Sequence, residues 1–329
     1  MSVLTVVLAQ DGDVKRMSLE TLARGRDVAQ KAGTAHHAVV VDADPARISG
    51  QLAGLGVSTL FGVTMPAGEA LLARPFCEAI EAAARKADAQ LVLMPSAEAT
   101  KEVLGALAVR LDATAVPDVS AFEWTSAGIE AVRPVMTAKF NSTIKARGER
   151  FVVTVRSGTV TAESNAEGHP PDVVHVSLDG NDASVAQDAR LKELISAISD
   201  TVDLNEARVV IAAGRGVEHE AAKQLILDLA DVMGGAVGAS RGTVLSGMFP
   251  HTALVGQTGR VVTPDVYVAI GISGAVQHLA GMSGSKIIVA INKDANAPIF
   301  EHATYGLVGD LNDILPPLID ALRRIAEPA

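Results

Sequence analysis

The sequence predicts an α/β protein of two domains, each built on a mostly parallel β-sheet. Strand-like apolar runs alternate with Ala-, Leu- and Glu-rich helical runs in both halves of the chain. The length of 329 residues fits two domains, because single domains usually have about 100–200 residues. Apolar residues make up 48% of the chain and aromatic residues only 3%, so Ala, Val, Leu and Ile must fill the cores, as buried parallel strands favour.

The first half of the chain predicts a Rossmann-like domain. Strands are expected at Val3–Ala9, Ala38–Val41, Thr59–Val63 and Leu91–Met94, and helices at Leu19–Ala32, Pro45–Ala53, Cys77–Lys86 and Glu98–Leu111. Such alternation implies parallel strands with right-handed crossovers and helices on both faces. The segment after the first strand, Gln10–Val14, has too little glycine for a dinucleotide fingerprint. We therefore expect no cofactor in this domain.

The region from Gly128 to Val176 has a different pattern. The runs Glu130–Val135, Arg150–Val155 and Asp172–Ser177 follow one another without helices, which predicts antiparallel strands added to the same domain. A polar stretch follows, with a short helical piece at Ala189–Ser199. We place the boundary there, giving an N-terminal domain of residues 1–200 and a C-terminal domain of residues 201–329.

The C-terminal domain predicts a doubly wound parallel sheet. Strands are expected at Ala207–Ala213, Val266–Ile270, Lys286–Ile291 and near Leu307, and helices at Glu218–Met233, Ala275–Met282 and Leu311–Ile325. Glycine is frequent between Gly214 and Gly284, where it lets the backbone approach a ligand closely. The ligand of an open parallel sheet lies outside the carboxyl ends of the strands.

Composition excludes several classes of function. The formal net charge is -10 and there is no long basic run, so no nucleic-acid partner is expected. Cys77 is the only cysteine; it predicts a buried apolar thiol and excludes both an internal disulfide and a cysteine metal cluster. No apolar run approaches the roughly 20 residues of a membrane span. Because Met1 is followed by a strand rather than a leader, we expect a cytoplasmic protein without membrane insertion.

A series of glycine-rich or polar segments follows the strands of the second domain. These segments are Gly214–Gly216, Gly238–Arg241, Val255–Gly259, Gly271–His278, Ala290–Asp294 and Gly306–Asp310. Each alone is typical of an ordinary loop, a cap or a turn. His219 stands where a dinucleotide fingerprint needs its third glycine, and Val255–Gly259 lacks the Lys-Ser/Thr ending of a P-loop. Together the segments predict one long polyphosphate ligand across the edge of the sheet.

At these segments the chain resembles the alpha subunit of electron-transfer flavoproteins. The matching stretches are Val237–Arg241, Val255–Val261, Ile270–Met282, Ser285-Lys286, Val289–Asp294, Ala297–Phe300 and Tyr305–Asp310. The resemblance is nearly continuous over Ala207–Leu315. It is looser in the first domain, where it depends on Arg133-Pro134 and on Phe140-Asn141-Ser142, at which the family usually has Gly-Asn-Ala.

The resemblance implies that the C-terminal domain binds FAD. It implies that the Arg241 guanidinium lies against the isoalloxazine ring, that Gln257 and Thr258 hydrogen-bond the O4/N5 edge of the ring, and that His278 reaches its O2 side. It implies that Arg215 and Ser240 lie along the diphosphate and ribityl chain, and that the diphosphate is surrounded by Ser273, Gly274, Ala275, Val276 and Gln277. It implies that Asn292 and Asp310 hold the adenosine end. Val255, Gly256 and Leu311 complete the implied cofactor-binding set.

The resemblance also implies an electron carrier rather than a substrate-converting enzyme. It implies a heterodimer with a beta subunit, packed against Met1–Val176, and transient contact with flavin dehydrogenases and a quinone reductase. One alternative is the alpha subunit of an electron-bifurcating relative that oxidises NADH with a second FAD. The other is a non-redox nucleotide-binding protein that kept the fold.

The residues next to the implied flavin ring suggest how the protein tunes it. A cation near the N1/O2 side stabilises negative charge on the ring, and we expect Arg241 and His278 to supply it. No nucleophile–base pair stands among the segments, so covalent catalysis is not expected. The family usually has an aspartate in the loop after Arg241, and this chain has Leu245. We expect that change to alter the redox properties of the site.

Overall fold

The computed structural model describes residues 2–41, 43–65, 70, 72–136, 140–160, 168–178 and 203–326. The described residues form two compact units. Unit 1 takes its residues from Met1–Val135 and Asn141–Ser196, and unit 2 from Met136–Phe140 and Ala197–Ala329. The division at 200/201 stays a prediction, because residues 179–202 lie outside the described residues. The helical piece expected at Ala189–Ser199 lies outside them as well.

Unit 1 begins with the expected alternation of strands and helices and continues with further strands. Its elements are β1 (Ser2–Val7), β2 (Ala9–Gln10), β3 (Asp13–Val14), α1 (Arg16–Ala32), β4 (Ala35–Val41), α2 (Pro45–Gln51), β5 (Thr59–Val63), α3 (Ala73–Lys86), β6 (Ala89–Pro95), α4 (Glu98–Arg110), β7 (Thr114–Val119), β8 (Ala121–Thr125), β9 (Gly128–Val135), β10 (Phe140–Ala146), β11 (Phe151–Val155) and β12 (Asp172–Val176).

The main sheet of unit 1, as far as the chain is described, has seven strands in the order β12-β5-β4-β1-β6-β11-β7. Every neighbouring pair in this sheet is parallel. All residues of β1 are buried because both faces are covered. Leu4 and Val6 pack with α3 and α4, and Val3 and Val7 face the opposite side with residues of α1. The Rossmann-like prediction is confirmed.

The antiparallel prediction was correct for β9 and wrong for β11 and β12. β9 pairs with β8 antiparallel, in a small separate sheet with β10. In contrast, β11 lies parallel between β6 and β7, and β12 lies parallel beside β5 at the edge. β11 is buried throughout, and its sequence is apolar except for the buried Thr154 rather than alternating. A missing crossover helix therefore did not mean an antiparallel neighbour.

Unit 2 has the helices and strands expected from the sequence and, among the described residues, four short additions: a strand, a helix and two 3-10 turns. Its elements are β13 (Val209–Ala213), α5 (Glu220–Val232), β14 (Ala236–Ala239), α6 (Arg241–Leu245), a 3-10 turn (His251–Ala253), β15 (Val266–Ile270), α7 (Val276–Met282), β16 (Ile287–Asn292), a 3-10 turn (Pro298–Glu301), β17 (Tyr305–Val308) and α8 (Leu311–Ala326).

The sheet of unit 2 has, among the described residues, five parallel strands in the order β14-β13-β15-β16-β17. Residues of α5 and α8 pack with Ile211 and Ile270 on one face, and Met282 of α7 packs with Val210 and Ala269 on the other. The doubly wound prediction is therefore confirmed. The chain moves from β13 to β14 on one side and then returns to β15 on the other. Such a reversal creates a crevice at the carboxyl ends of the two strands, here β13 and β15.

Other expectations about the described residues can be compared directly. Cys77 is 2% exposed, and burial raises the pKa of its thiol to about 11, so it is the inert buried residue that the sequence predicts. No described helix is both long and apolar enough to cross a bilayer. The described residues also contain no group of three His, Cys, Asp or Glu side chains placed to hold a metal ion.

Candidate functional site

The crevice in unit 2 is formed by two loops whose backbones touch. The Gly214 amide donates to the Ile270 carbonyl at 2.7 Å, and the Gly216 amide donates to the Gly271 carbonyl at 3.3 Å. A Cβ on Gly214 would lie 2.5 Å from the Ile272 nitrogen, and one on Gly271 would lie 2.9 Å from the Gly216 Cα. Gly271 also has φ +63°, which favours glycine. Only glycine therefore permits this approach of the loops after β13 and β15.

A cavity of about 1030 Å³ opens at these loops. It lies along the carboxyl ends of the strands and contains nearly all of the residues singled out in the sequence. The predicted residues that line it are Arg215, Ser240, Arg241, Val255, Gly256, Gln257, Thr258, Ser273, Ala275, Gln277, His278, Asn292, Asp310 and Leu311. The cavity thus joins segments that are separated by about a hundred residues of sequence, at the position that the strand order predicts.

Two predicted residues, Gly274 and Val276, do not line the cavity. Gly274 has φ +86° and is packed against the 3-10 turn, since a Cβ there would lie 2.7 Å from the Ile299 Cα. It contributes the shape of the loop and a backbone amide rather than a side chain. Val276 is 42% exposed at the start of α7. The prediction treated Ser273–Gln277 as a continuous wall, whereas only alternate side chains of this loop reach the cavity.

The cavity also contains residues that the sequence did not single out as cofactor contacts. They are Gly216, Val217, Glu218, Gly242, Leu245, Ser246, Met248, Leu254, Gly271, Ile272, Ile291, Lys293, Asp294, Ala297 and Gly309. Several belong to the predicted segments, and Leu245 was noted as a departure from the family. Ser246 and Met248 follow the short helix α6, for which the sequence has no periodic signal.

Ser240 fixes the start of α6. Its amide donates to the Ala213 carbonyl at 2.8 Å, and its hydroxyl lies 2.9 Å from the Thr243 hydroxyl. Thr243 in turn donates to the same Ala213 carbonyl at 3.1 Å. The Ser240 side chain is therefore engaged within the protein. Arg241, the next residue, is exposed on the cavity wall, and in the described part of the chain it makes no ion pair. Its charge is not neutralised by a neighbouring carboxylate.

The turn at Val255–Gly259 is held between β14 and α7. The Val255 amide donates to Ala239 at 2.9 Å, and the Gln257 amide donates to the Gln277 carbonyl at 2.8 Å. Gly256 has φ +144°, and a Cβ there would lie 2.8 Å from the Gln277 carbonyl oxygen. These contacts leave the side chains of Gln257 and Thr258 exposed at the cavity. Both can donate hydrogen bonds to a bound molecule.

The loop after β15 presents free backbone amides. The amides of Ser273, Gly274 and Ala275 donate to no backbone acceptor within the described residues. The carbonyls of Ser273 and Ala275 are engaged within the protein, since the Ile299 amide donates to the Ser273 oxygen at 3.1 Å and the His278 amide donates to the Ala275 oxygen at 2.8 Å. The Asn292 side chain supports the same loop by donating to the Ile272 oxygen at 2.9 Å. Successive unpaired N–H groups form a site that favours phosphate oxygens.

Asn292 and Asp310, which are expected to hold the adenosine end of the ligand, differ in whether their side chains are free to bind it. Asn292 uses both ends of its amide within the protein, because its oxygen also accepts from the Asp294 amide at 3.0 Å. It acts here as a support for the loop. In Asp310, one carboxylate oxygen accepts from the backbone and the side chain of Asn312, both at 2.8 Å, and these bonds lower the pKa of the carboxyl group. Asp310 is therefore ionised at neutral pH and lines the cavity as an acceptor.

His278 is buried and hydrogen-bonded to Tyr267. It is 6% exposed, and its Nε2 lies 2.9 Å from the Tyr267 hydroxyl. Burial lowers the pKa of His278 to about 4, and the nearby Val255 backbone opposes this effect only in part. No described residue completes a hydrogen bond to Nδ1, which is also buried. The expectation that His278 supplies a positive charge was wrong for this structure, because the buried imidazole is neutral at pH 7.

This fold and cavity define the class of protein. A parallel sheet with glycine loops, free amides and a guanidinium at its carboxyl edge is a binding site for a long nucleotide cofactor. Comparison with known proteins specifies the family. Residues 3–180 match the family model of the electron transfer flavoprotein domain, and residues 203–283 match that of the electron transfer flavoprotein FAD-binding domain.

Curated relatives match nearly the whole chain. The electron transfer flavoprotein subunit alpha of Mycobacterium leprae is 36% identical over 325 residues, covering 97% of this chain and 98% of the relative. The subunit alpha of Bacillus subtilis is 30% identical over 316 residues, covering 96% and 95%. That of Paracoccus denitrificans is 40% identical over 237 residues, covering 70% and 72%. The chain belongs to the electron transfer flavoprotein family, among its alpha subunits.

The residues present fit FAD. The buried Nδ1 of His278 has no partner in the described protein, and a ligand acceptor would satisfy it. The free amides of the Ser273–Ala275 loop suit the diphosphate. A cavity of about 1030 Å³ is at the large end of the range for small-molecule sites, as a dinucleotide needs.

Proposed function

We propose that this chain is the FAD-binding subunit of a heterodimeric electron transfer flavoprotein. In that role it carries electrons between flavin dehydrogenases and a downstream acceptor such as a quinone reductase. The observation that supports this most directly is the cavity of unit 2, which combines an amide-lined loop with a distinct set of polar side chains beyond it. A diphosphate and a flavin ring need these two kinds of surface at the two ends of one site.

The contacts suggest a separate role for each group of residues in the cavity. The amides of Ser273–Ala275 bind the negative diphosphate, and Arg215 adds a positive charge to the same cavity. Gln257 and Thr258 offer side-chain donors to the edge of the ring, and Asp310 offers an acceptor to the adenosine end. When bound, FAD supplies the one-electron redox chemistry, and the protein supplies orientation and electrostatics.

The side chains of the cavity favour electron carriage over conversion of a substrate. The Ser240 hydroxyl is engaged with Thr243, and the Nε2 of His278 is engaged with Tyr267. No pair of a nucleophile and a base within hydrogen-bonding distance lines the described cavity, which is the arrangement that covalent catalysis needs. Nothing there would compete with the flavin for the chemistry.

The partner expected from the resemblance is a beta subunit. We propose that it packs against unit 1, whose parallel sheet lacks a glycine-rich phosphate loop after β1 and so has no evident cofactor role of its own. The polar residues of unit 2 would then meet different redox partners while unit 1 keeps the heterodimer together.

The proposal is tested by purifying the chain together with its co-expressed beta subunit and measuring flavin, protein and electron transfer. We expect one FAD per heterodimer, and bleaching of that FAD by an acyl-CoA dehydrogenase supplied with its substrate. Two FAD per heterodimer with rapid reduction by NADH would establish the bifurcating alternative instead. A stable protein without FAD would contradict the proposal and favour a non-redox role.

A further inference from the structure

Beneath the cavity, a tyrosine and a histidine form a buried pair. Tyr267 belongs to β15 and is 0% exposed, and His278 belongs to α7 and is 6% exposed. The Tyr267 hydroxyl and the His278 Nε2 are 2.9 Å apart, and the ring centroids are 6.1 Å apart. His278 is also among the residues that line the cavity. The pair therefore connects the core of unit 2 to the wall of the cofactor site.

The surroundings of Tyr267 decide which group donates the hydrogen bond. The tyrosine is packed among Val210, Ala212 and Ile272. Within the described chain, its hydroxyl has only the His278 Nε2 as a hydrogen-bond partner. If Nε2 carried a proton, the phenol proton would be left in an apolar core without an acceptor, which is costly. The phenol also keeps its proton, because burial raises the pKa of Tyr267. Tyr267 therefore donates and Nε2 accepts.

This direction fixes the position of the proton on the histidine. Burial lowers the pKa of His278 to about 4, so the ring is neutral at pH 7. A neutral imidazole that accepts at Nε2 carries its hydrogen on Nδ1. Nδ1 is the atom that is buried and unpartnered among the described residues. The Val255 backbone lies near the ring, but no hydrogen bond to Nδ1 is completed within the described protein, so this donor remains available to a ligand bound in the cavity that His278 lines.

We infer that Tyr267 is a positioning residue for the cofactor site: its hydroxyl holds His278 in the Nδ1–H tautomer, so that the site presents the bound flavin with one neutral, directed hydrogen-bond donor. This inference depends on the proposed function, since it takes FAD to be the occupant of the cavity. Tyr267 acts through His278 and need not touch the cofactor.

A buried phenol has a different effect on the histidine from a carboxylate. A carboxylate at Nε2 would favour the imidazolium, which adds a full charge and an acidic proton to the site. A phenol at Nε2 adds no charge, burial keeps the ring neutral, and a neutral Nδ1–H is far too weak an acid to give up its proton at pH 7. His278 therefore stabilises negative charge on a nearby oxygen without a proton being transferred. An electron could enter or leave the site without waiting for a proton.

The test replaces Tyr267 by phenylalanine, which removes the hydroxyl and keeps the ring. Tyr305, the other tyrosine of the chain, is 64% exposed, so Tyr305→Phe is the matched control. The full chain, in the assembly in which it purifies, is labelled with ¹⁵N-histidine. The tautomer of His278 is then read by NMR between pH 6 and 8, without and with FAD. His278→Gln identifies the resonances.

We expect wild type and Tyr305→Phe to carry the hydrogen on Nδ1. In Tyr267→Phe the ratio of Nδ1–H to Nε2–H should fall roughly tenfold, the effect of losing one buried hydrogen bond. In the FAD-loaded protein, Tyr267→Phe should also shift the flavin potential, and the shift should disappear in the His278→Gln background. A tyrosine that only stabilises the core would lower the melting temperature and leave the tautomer and the potential unchanged.

Two results would overturn the inference. One is a wild-type His278 with its hydrogen on Nε2, a measurement that stands even if Tyr267→Phe fails to fold. The other is a flavin potential that responds equally to Tyr267→Phe with and without His278. A wild-type protein with the Nδ1–H tautomer that binds no FAD would refute the proposed function, and with it the role of Tyr267 toward the flavin. The assignment of the proton would remain.

Discussion

Replacing Arg241 by alanine removes a positive charge that the family resemblance implies lies against the flavin ring. The guanidinium lines the cavity and has no ion-pair partner among the described residues, so its full charge acts on the site. His278 is neutral and cannot compensate. At about 4 Å, a unit charge contributes roughly 1 kcal/mol in water and roughly 4 kcal/mol at an effective dielectric of 20.

These limits translate into a measurable potential. For a one-electron couple, ~1–4 kcal/mol corresponds to roughly 40–170 mV. Because Arg241 is exposed, we expect Arg241→Ala to lower the first flavin potential by a value in the lower half of this range. Added salt should shrink the difference between the two proteins. FAD should still bind, since the amides of Ser273–Ala275 are unaffected.

The assay is a stepwise reductive titration of the FAD-loaded heterodimer, followed by absorbance. Arg241→Lys is the charge-retaining control and should keep most of the potential. Arg215→Ala removes a charge from the same cavity at the position assigned to the diphosphate, and should weaken FAD binding more than it changes the potential. A wild-type potential in Arg241→Ala would refute the reasoning, because it would place the guanidinium away from the ring.

Three further outcomes follow from the packing. Gly214→Ala should destabilise unit 2 by about 1–3 kcal/mol through overpacking and abolish FAD retention. The control is Gly105→Ala in α4, where the residue is exposed and nothing lies within 4 Å of the added Cβ, and it should stabilise unit 1 by about 0.5–1 kcal/mol. Calorimetry measures both effects. Burial lowers the pKa of His36 from 6.5 to about 4, so between these pH values the unfolded state binds more protons than the folded state. The free energy of unfolding should therefore fall by up to ~3 kcal/mol as the pH is lowered from above 6.5 toward 4. Denaturant titrations of His36→Gln should show a weaker loss, and an unchanged pH dependence would contradict this account. Cys77 should react with a thiol reagent only at the rate of unfolding, because its thiol is buried and its pKa is about 11; fast labelling of the native protein would show otherwise.

Much of the fold could be predicted because buried parallel strands have a simple sequence pattern. β5 and β15 begin and end at the predicted residues, since each is an apolar run bounded by polar or glycine residues. β14 was missed because four residues of Ala, Val and Gly have no strand signature apart from their neighbours. β11 was assigned the wrong direction because direction depends on the strands on either side, which are distant in sequence.

The site divides in the same way between local and tertiary information. Glycine at strand ends marks where a backbone must approach something, so the walls of the cavity could be located from sequence. The charge of His278 could not, because it depends on burial and on the Val255 backbone, which the packing of distant segments brings together. The role of Asn292 was likewise not predictable, since its amide is used by the loop after β15. Residue identity indicated a contact, and packing determined its chemistry.

The close approach of the loops at Gly214 and Gly271 limits how this site can change during evolution. The anion-binding part of the cavity is made of backbone N–H groups, which every residue except proline supplies, so most substitutions of the surrounding side chains leave it in place. The side chains of the rim are free to vary, as the exposed Leu245 illustrates. Descendants of this protein would therefore be expected to keep the cofactor while its redox potential drifts. A methyl group added at Gly214 or Gly271 would push the two loops apart and begin the loss of the cofactor.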